Sequence, residues 1–390
     1  MPKSIFRRLS KKFFIVTNIV VAVLFLLGCY AKWFNPSFWW PIGLLTLGSF
    51  YLFVILLLFI IFWFFAKARW SLISFITMLL AFNPIRNIIP FHFSSSFKMQ
   101  QQDSALRIMS WNVAQFDILH SKKQPEIKND MGDLINDYHP DIACFQEMVA
   151  GDSTPDLNIN LYKKYLYYPL DSFAKHFNFP YESYAYNYKE NYIDHQHFGI
   201  VIFSKYPIIN KQTISFPPHD YNSIFQYADI VKNNDTIRVF NIHLQSLKFT
   251  TDNLKYIEDP SLESDEDLKK SKGIISKLKT GFVKRGIQAD RIKEEVNKSP
   301  YPVIICGDFN DLPNSYAYGT IGKGLKNAFE EKGSGLGHTF NNINAVIRPP
   351  MRIDNIFADG SMDILQYTCI RKKLSDHYPV ITDIQIKNKE

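Results

Sequence analysis

VIICGDFN, residues 303–310, decides the fold class of this chain. Val303 to Cys306 form an apolar, β-branched run too short for a helix. It closes on Gly307 and a carboxylate, Asp308. A continuous apolar run bounded by turn formers reads as a strand covered on both faces. The preceding KRGIQADRIKEEVNK (284–298) has the spacing of a helix, so strand and helix alternate here. The same grammar runs outward from this point. Expected strands are LRIMSWNV (106–113), IACFQE (142–147), GIVIFSK (199–205), YADIVK (227–232), IRVFNIHL (237–244), RIDNIFA (352–358) and VITDIQI (380–386). Residues 125–138 read as a helix with Ile127, Met131, Leu134 and Ile135 on its apolar face. The expectation is a layered α/β or α+β domain with a large core.

Polar residues collect at the ends of these strands. Asn112 ends the first and Glu147 the second. Asn241 and His243 lie in NIHLQS, Asp308 and Asn310 in GDFN, Asp354 in RIDNIF, and Asp376 and His377 just before the last strand. One such carboxylate is ordinarily a turn former. A whole set is different, because a buried carboxylate is costly without a partner, a metal or hydrogen bonds. Oxygen ligands with histidine suit a hard divalent ion, Mg²⁺ or Mn²⁺. The four cysteines form no CxxC pair and lie in apolar runs, which argues against zinc and against a disulfide framework.

The strings SWNV (110–113), QE (146–147), GIVIFSKYPI (199–208), NIHL (241–244), GDFN (307–310), RIDNIF (352–357) and SDHYP (375–379), in this order, resemble the endonuclease/exonuclease/phosphatase superfamily. The resemblance covers roughly 104–388. It implies a four-layered α/β (α+β) sandwich of two mixed β-sheets flanked by helices, and hydrolysis of a phosphate ester by in-line attack of water. It also implies roles. Glu147 is the main metal ligand, assisted by Asn112, with Asp376 in support of that or a second site. Asp308 orients or deprotonates the water, and Asn310 hydrogen-bonds the phosphate. His377 contacts the phosphate or moves a proton, Asp354 fixes its tautomer, and His243 is a candidate proton donor to the leaving oxygen. Asp308 and His377 both stay candidates for the base. Where the family often has an aromatic after the Asp of RID, this chain has Asn355, which implies a local packing difference only.

Residues 1–102 hold ten Lys/Arg and no acid, whereas 103–390 hold 34 basic and 37 acidic side chains. The overall +7 therefore belongs to the N-terminal part and gives no nucleic-acid signature to the rest. Residues 13–30 carry no charge over 18 positions and 38–65 none over 28. A bilayer core takes about 20 apolar residues in a helix. Trp33, Trp39, Trp40, Trp63 and Trp70 stand at run ends, where aromatic rings favour the headgroup zone. A third, shorter run gives a span at about 70–91. The expected organisation is a membrane anchor over 1–93 with two or three transmembrane helices, a linker over 94–103, and a catalytic domain over 104–390. The positive-inside rule puts residues 1–12 in the cytoplasm. Three spans then export the catalytic domain, and two leave it cytoplasmic. Three are expected, giving an integral protein of the bacterial inner membrane with its catalytic part periplasmic or extracellular.

The substrate classes left open are a lipid headgroup of the sphingomyelinase or phosphoinositide kind, a small phosphodiester, and DNA or RNA. A nuclease needs a basic groove, and the acidic balance of 103–390 weighs against one. A non-catalytic receptor or scaffold predicts erosion of the strand-end set, which is intact. A transporter finds no intramembrane charge pair. Among lesser features, His195 and His197 in DHQH share a strand face by period. Gly333, Gly335 and Gly337 read as a flexible loop carrying His338 and Thr339. The acidic run 257–267 reads as a solvated loop before a basic stretch, 269–298, and the Tyr-rich 161–192 as packing and loop.

Overall fold

The computed structural model describes residues 3–92, 96–116, 126–151, 170–186, 196–216, 224–261, 263–342 and 351–387. Twelve strands among them form two mixed sheets of six. In chain order they are β1 (Leu106–Asn112), β2 (Ile142–Gly151), β3 (Tyr181–Tyr186), β4 (Gln196–Ser204), β5 (Ile208–Ser215), β6 (Ile224–Lys232), β7 (Asp235–His243), β8 (Val303–Asp308), β9 (Leu325–Asn327), β10 (Asp354–Asp359), β11 (Met362–Cys369) and β12 (Val380–Ile386). The first sheet has the order β11-β12-β1-β2-β4-β3 and the second β5-β6-β7-β8-β10-β9. Each contains one parallel pair, β1 with β2 and β7 with β8. Parallel neighbours require a crossover. The helix Glu126–Tyr138 supplies it in the first sheet and Asp265–Asn297 in the second.

The apolar runs are explained by layers on both sides of each sheet. Ile108, Cys144, Ile202, Val239, Ile304, Cys306, Ile356 and Val380 meet between the sheets. Trp111, Phe145 and Phe203 turn outward onto Met131, Leu134 and Phe173 of the helices. Phe240, Ile305 and Phe357 do the same against Ala289, Ile292 and Ile321.

Four strands lie outside the eight expected from sequence: β3, β5, β9 and β11. All four are sheet edges. An edge strand needs less apolar surface, and β5 (IINKQTIS) is exposed along most of its length. Part of the Tyr-rich stretch is thus strand, Tyr181–Tyr186, while 161–169 and 187–192 lie outside the described residues. The helix expected over 284–298 begins at Asp265 and has 33 residues. Ser264 and Asp267 close a capping box there, and Asp265, Glu266 and Asp267 fill the first turn. Acids at a helix N-terminus complement its dipole. The last three acids of the expected loop are therefore a helix start.

The N-terminal part is a bundle of α1 (Lys3–Cys29), α2 (Pro36–Lys67), α3 (Ser71–Leu80) and α4 (Phe82–Ile88). The ring of Phe14 meets that of Phe62, and Gly28 abuts Leu45, so α1 and α2 are antiparallel. Ser74 donates to Asn18 Oδ1 at 2.7 Å and Tyr30 to the Leu80 carbonyl, so α3 runs parallel to α1. By length and composition, two stretches could cross a membrane, Ile5–Cys29 and Pro36–Leu80, the second counted through the turn at Lys67. The third expected run breaks at Ala81 into two short helices.

The bundle docks on the sandwich at the end remote from Lys11, Lys67 and Arg69. Asn314 donates to the Pro84 carbonyl and Asn87 to Asn314. Arg352 donates to the Asn87 carbonyl.

Arg107 ties β1 to β12 through a paired, buried fork onto Asp383 at 2.8 and 2.9 Å. Its remaining donors reach the carbonyls of Lys98, Met99 and Tyr138. Arg107→Ala would strand a buried carboxylate and is expected to cost about 3–5 kcal/mol. Thermal unfolding of the full chain in detergent checks this; a midpoint within error of the parent would contradict it.

Candidate active site

The two sheets meet at the carboxyl ends of their parallel pairs, and the polar strand ends face one another there. β2 and β4 pair through a bulge between Phe145 and Met148. Glu147 sits in it with φ +53°, in the left-handed region. Bulges re-aim side chains, and strained residues persist where the surroundings over-determine them. Asn310, with φ +50°, is the second such residue at the site. Gly307 has φ +149°, and a Cβ there would lie 1.9 Å from the Ile242 carbonyl oxygen. Only glycine lets β8 lie against β7 at the step that presents Asp308.

Asp308 stands at the centre. Its Oδ1 accepts from the Asn310 backbone at 2.8 Å. Its Oδ2 accepts from the side chains of Asn112 and Asn310, both at 3.2 Å. Nε2 of His243 and Nε2 of His377 both stand 3.6 Å from that Oδ2. Asn112 also donates to Glu147 at 3.3 Å, and His243 lies 3.8 Å from the Glu147 carboxylate. Nδ1 of His377 meets Asp354 Oδ2 at 2.9 Å. The Thr339 hydroxyl accepts from the backbone of Ile353 and Asp354 and so fixes the start of β10. Ser375 donates to the Asn112 carbonyl and to Asp376, fastening the 375–377 loop to β1.

Burial alone would lower the His377 imidazole, but Asp354 and Asp308 outweigh it and hold it well above the usual histidine value. Burial pushes Asp308 up to about 6; His377 opposes that shift and Asp354 adds to it. Burial and then repulsion from Asp376 raise the Glu147 carboxyl.

A family model described as the endonuclease/exonuclease/phosphatase family matches residues 109–377. The chain belongs to that family. A second model, described only as a domain of unknown function, matches residues 11–88. No curated protein matches the sequence. Similar solved structures include a family member from Leptotrichia buccalis, at 16% identity and TM-score 0.48, covering 73% of this chain and 100% of that one. Another is from Beutenbergia cavernae, at 14% identity and TM-score 0.47, covering 73% and 72%. A third is a mannosyl-6-phosphatase from Bacteroides thetaiotaomicron, at 17% and 0.46, covering 72% and 99%.

Of the residues expected from this family's pattern, Asn112, Glu147, His243, Asp308, Asn310, Asp354 and His377 converge on the cleft. Asp376 stands at its edge, close enough to raise Glu147. Asn355 is buried, accepts from Asn327 and donates to the Ile353 carbonyl, so the departure at this position is a local polar tie between β9 and β10. His197 stacks on Tyr186 with ring centroids 4.2 Å apart, and His195 lies outside the described residues. His338 takes the Met351 backbone N–H, and Gly335 donates to the Pro90 carbonyl, so the glycine loop rests on the segment leaving the bundle. Phe340, whose ring stands 5.0 Å from that of His377, and Ser375 also shape the site. Ser375 is visible in the SDH string; Phe340 carries no local signal.

Asp308, Asp354 and His377 are close enough for one ion to touch all three. The His377 imidazolium there already offsets one of the two carboxylate charges. Glu147 and Asp376 have less to offset them: among the described residues neither pairs with Lys or Arg, and Glu147 faces only imidazoles, His243 at 3.8 Å among them. That donor set of carboxylates with the amide of Asn112 fits a hard divalent cation.

A carboxyl with a raised folded value gives stability below its ordinary value and loses it as pH rises through the raised one. Asp308 does so between 3.8 and about 6. In EDTA, Asp308→Asn should therefore gain on the parent in thermal midpoint as pH rises across that window. Parallel pH profiles of the two proteins would contradict the assignment.

Proposed function

We propose that this chain is a membrane-anchored, divalent-metal-dependent phosphoesterase that hydrolyses a phosphodiester or phosphomonoester by in-line attack of water. The observation that carries it is the convergence of two imidazoles and the carboxylates of Glu147, Asp308 and Asp354 from both sheets on one cleft. Glu147 and Asn112, with Asp376 in support, would hold Mg²⁺ or Mn²⁺. When bound, the cation offsets negative charge developing on the phosphoryl oxygens.

The protein's own groups divide the remaining work. Asp308, with both oxygens held by hydrogen bonds, is placed to orient water and take its proton. The raised value of its carboxyl suits a base near neutrality. His377, kept protonated by Asp354 and Asp308, presents Nε2–H to a phosphoryl oxygen. Asp354 fixes the ring by accepting from Nδ1. His243 stands where it can give a proton to the leaving oxygen. Asn310 adds an amide donor at the same rim. The water oxygen–phosphorus bond forms as the bond to the leaving oxygen breaks.

A membrane-proximal ester, such as a lipid headgroup, is the favoured substrate class. Leu312 and Pro313, two and three residues beyond Asn310, face Thr46, Phe50 and Ile88 of the bundle across a small cavity. The segment that follows Asn310 thus rests on the helices of the bundle. In the proposed topology α1, α2 and the α3–α4 segment are three spans. Lys11, Lys67 and Arg69 lie at the cytoplasmic end, and the catalytic layers lie on the opposite, exported side. The acidic balance of residues 103–390 disfavours a nucleic-acid groove.

The test is turnover by the full chain in detergent or nanodiscs. The panel holds phosphatidylinositol or sphingomyelin vesicles, supercoiled DNA and a bis-aryl phosphate, each with Mg²⁺, Mn²⁺ or EDTA. Metal-dependent hydrolysis is expected, reduced about 100-fold or more in His377→Ala. Turnover that survives EDTA, or both His377→Ala and Glu147→Ala, would contradict the proposal. Asp354→Asn should lower kcat by about 10- to 100-fold through the freed imidazole, with KM little changed; an unchanged kcat would remove Asp354 from the machinery.

A further inference from the structure

A second cavity, of about 610 Å³, opens where the turn between α1 and α2 meets the catalytic layers. Lys32 and Trp33 come from the turn, Lys293 from the helix Asp265–Asn297, and Asn314, Tyr316 and Lys323 from the chain beyond β8. The second sheet separates it from the catalytic cleft. On β10, Ile356 and Ala358 face the other sheet, whereas Phe357, which lines this cavity, faces outward.

The neutral polar groups of the wall are already engaged. Asn87 donates to Asn314 at 2.9 Å. The Tyr316 hydroxyl donates to Asp290 and accepts from Asn35. Glu330, the one carboxylate on the wall, is turned to the Tyr318 hydroxyl and Arg352. The cations are less fully paired: among the described residues none of Lys32, Lys293 and Lys323 forms an ion pair with a carboxylate, although Lys32 is near enough to Glu330 to lower its carboxyl and lies beside the Trp33 ring. Lys293 donates to the carbonyl of Lys323. Burial, and then repulsion from the Lys323 ammonium, hold its amine below the usual lysine value. Three ammonium groups around a concave wall call for a multiply hydrogen-bonding oxyanion, and phosphate is the one lysine serves as a point charge.

The depth of the cavity points to the source of that anion. Trp33 is 70% exposed, Phe38 82% and Trp39 57%, all at the same end of the helices. Tyr30 stacks on Trp33 with centroids 4.7 Å apart. Exposed aromatics at the ends of apolar helices mark the headgroup layer.

We propose that this cavity binds the phosphate of an anionic phospholipid headgroup through Lys32, Lys293 and Lys323, as a non-catalytic site that seats the catalytic layers on the bilayer. It rests on the anchoring part of the proposed function and goes beyond its chemistry. The experiment compares the full chain in nanodiscs of phosphatidylcholine alone and of phosphatidylcholine with phosphatidylglycerol, reading the thermal midpoint and, by native mass spectrometry, retained lipid. Phosphatidylglycerol should raise the midpoint and remain bound. K32Q/K293Q/K323Q should lose both effects, each lysine contributing about fivefold in affinity. K269Q/K270Q/K272Q, which removes the same charge from an exposed stretch of the long helix, should keep them. K323Q alone, on an exposed turn, carries the test should the triple variant fail to fold. Equal retention by the cavity variants, or equal loss in the control, would overturn the site. Glycerol phosphate added to phosphatidylcholine nanodiscs and acting as strongly would overturn the lipid source. A chain that stays in alkaline-washed membranes yet ignores phosphatidylglycerol overturns this site alone, whereas release by that wash overturns the anchoring itself.

Discussion

Gln146 reaches across the sandwich and donates to Asn241 Oδ1 at 2.7 Å, and Asn241 in turn donates to the carbonyls of Phe145 and Val201. This buried amide bridge joins the two sheets at the carboxyl ends of their parallel pairs, where the rest of the site is built. Glu147 follows Gln146 in the chain. His243 lies two residues beyond Asn241 and so faces the same way. A buried polar network is costly unless its members are satisfied. Here the amide donors of Gln146 and Asn241 and the oxygen of Asn241 are engaged, while Gln146 Oε1 has no partner among the described residues; the bridge specifies one register of sheet on sheet, which apolar contacts between Ile108, Val239 and Ile304 alone would leave open. The catalytic geometry thus depends on an interaction that touches no substrate.

The same constraint explains why strain gathers here. Glu147 and Asn310 have left-handed backbones, and Gly307 lies where any side chain would strike β7. Carboxylates are held near enough to raise one another. The surrounding layers, three apolar clusters on alternate sides of the sheets, supply the stability against which this strain is held. The N-terminal helices are part of that support. α2 leaves helical geometry at Trp39, just before Pro41, and then runs on to Lys67. Just past that kink Gly43 packs against Phe282 of the long helix. Arg352, two residues from Asp354, is held by a carbonyl of the bundle.

The central strands were legible in the sequence because both faces are covered, and several of them therefore read as near-continuous apolar runs. β8 is the clearest case, since its run stops at the residue that turns to the cleft. The edge strands were not legible: β5 buries little, and β9 is three residues long. The strand-end residues could be chosen because Asp, Asn and His at the ends of buried runs are physically conspicuous. Phe340 could not be, since its approach to His377 comes from a loop pairing distant in sequence. The 33-residue helix was legible only at its buried end, where Ala289, Ile292 and Val296 repeat; its first half is solvent-facing and charged. The third apolar run carries its breaker in Asn83–Pro84: Pro84 has no N–H for the Leu80 carbonyl, which takes the Tyr30 hydroxyl instead, and the helix breaks at Ala81.

In the proposed function Glu147 and its neighbours form a divalent-cation site. Mn²⁺ binding to the full chain, followed by electron paramagnetic resonance in the absence of substrate, tests it directly. Stoichiometric binding that is lost in Glu147→Gln is the predicted result. Failure to bind, or binding that Glu147→Gln leaves intact, would contradict it.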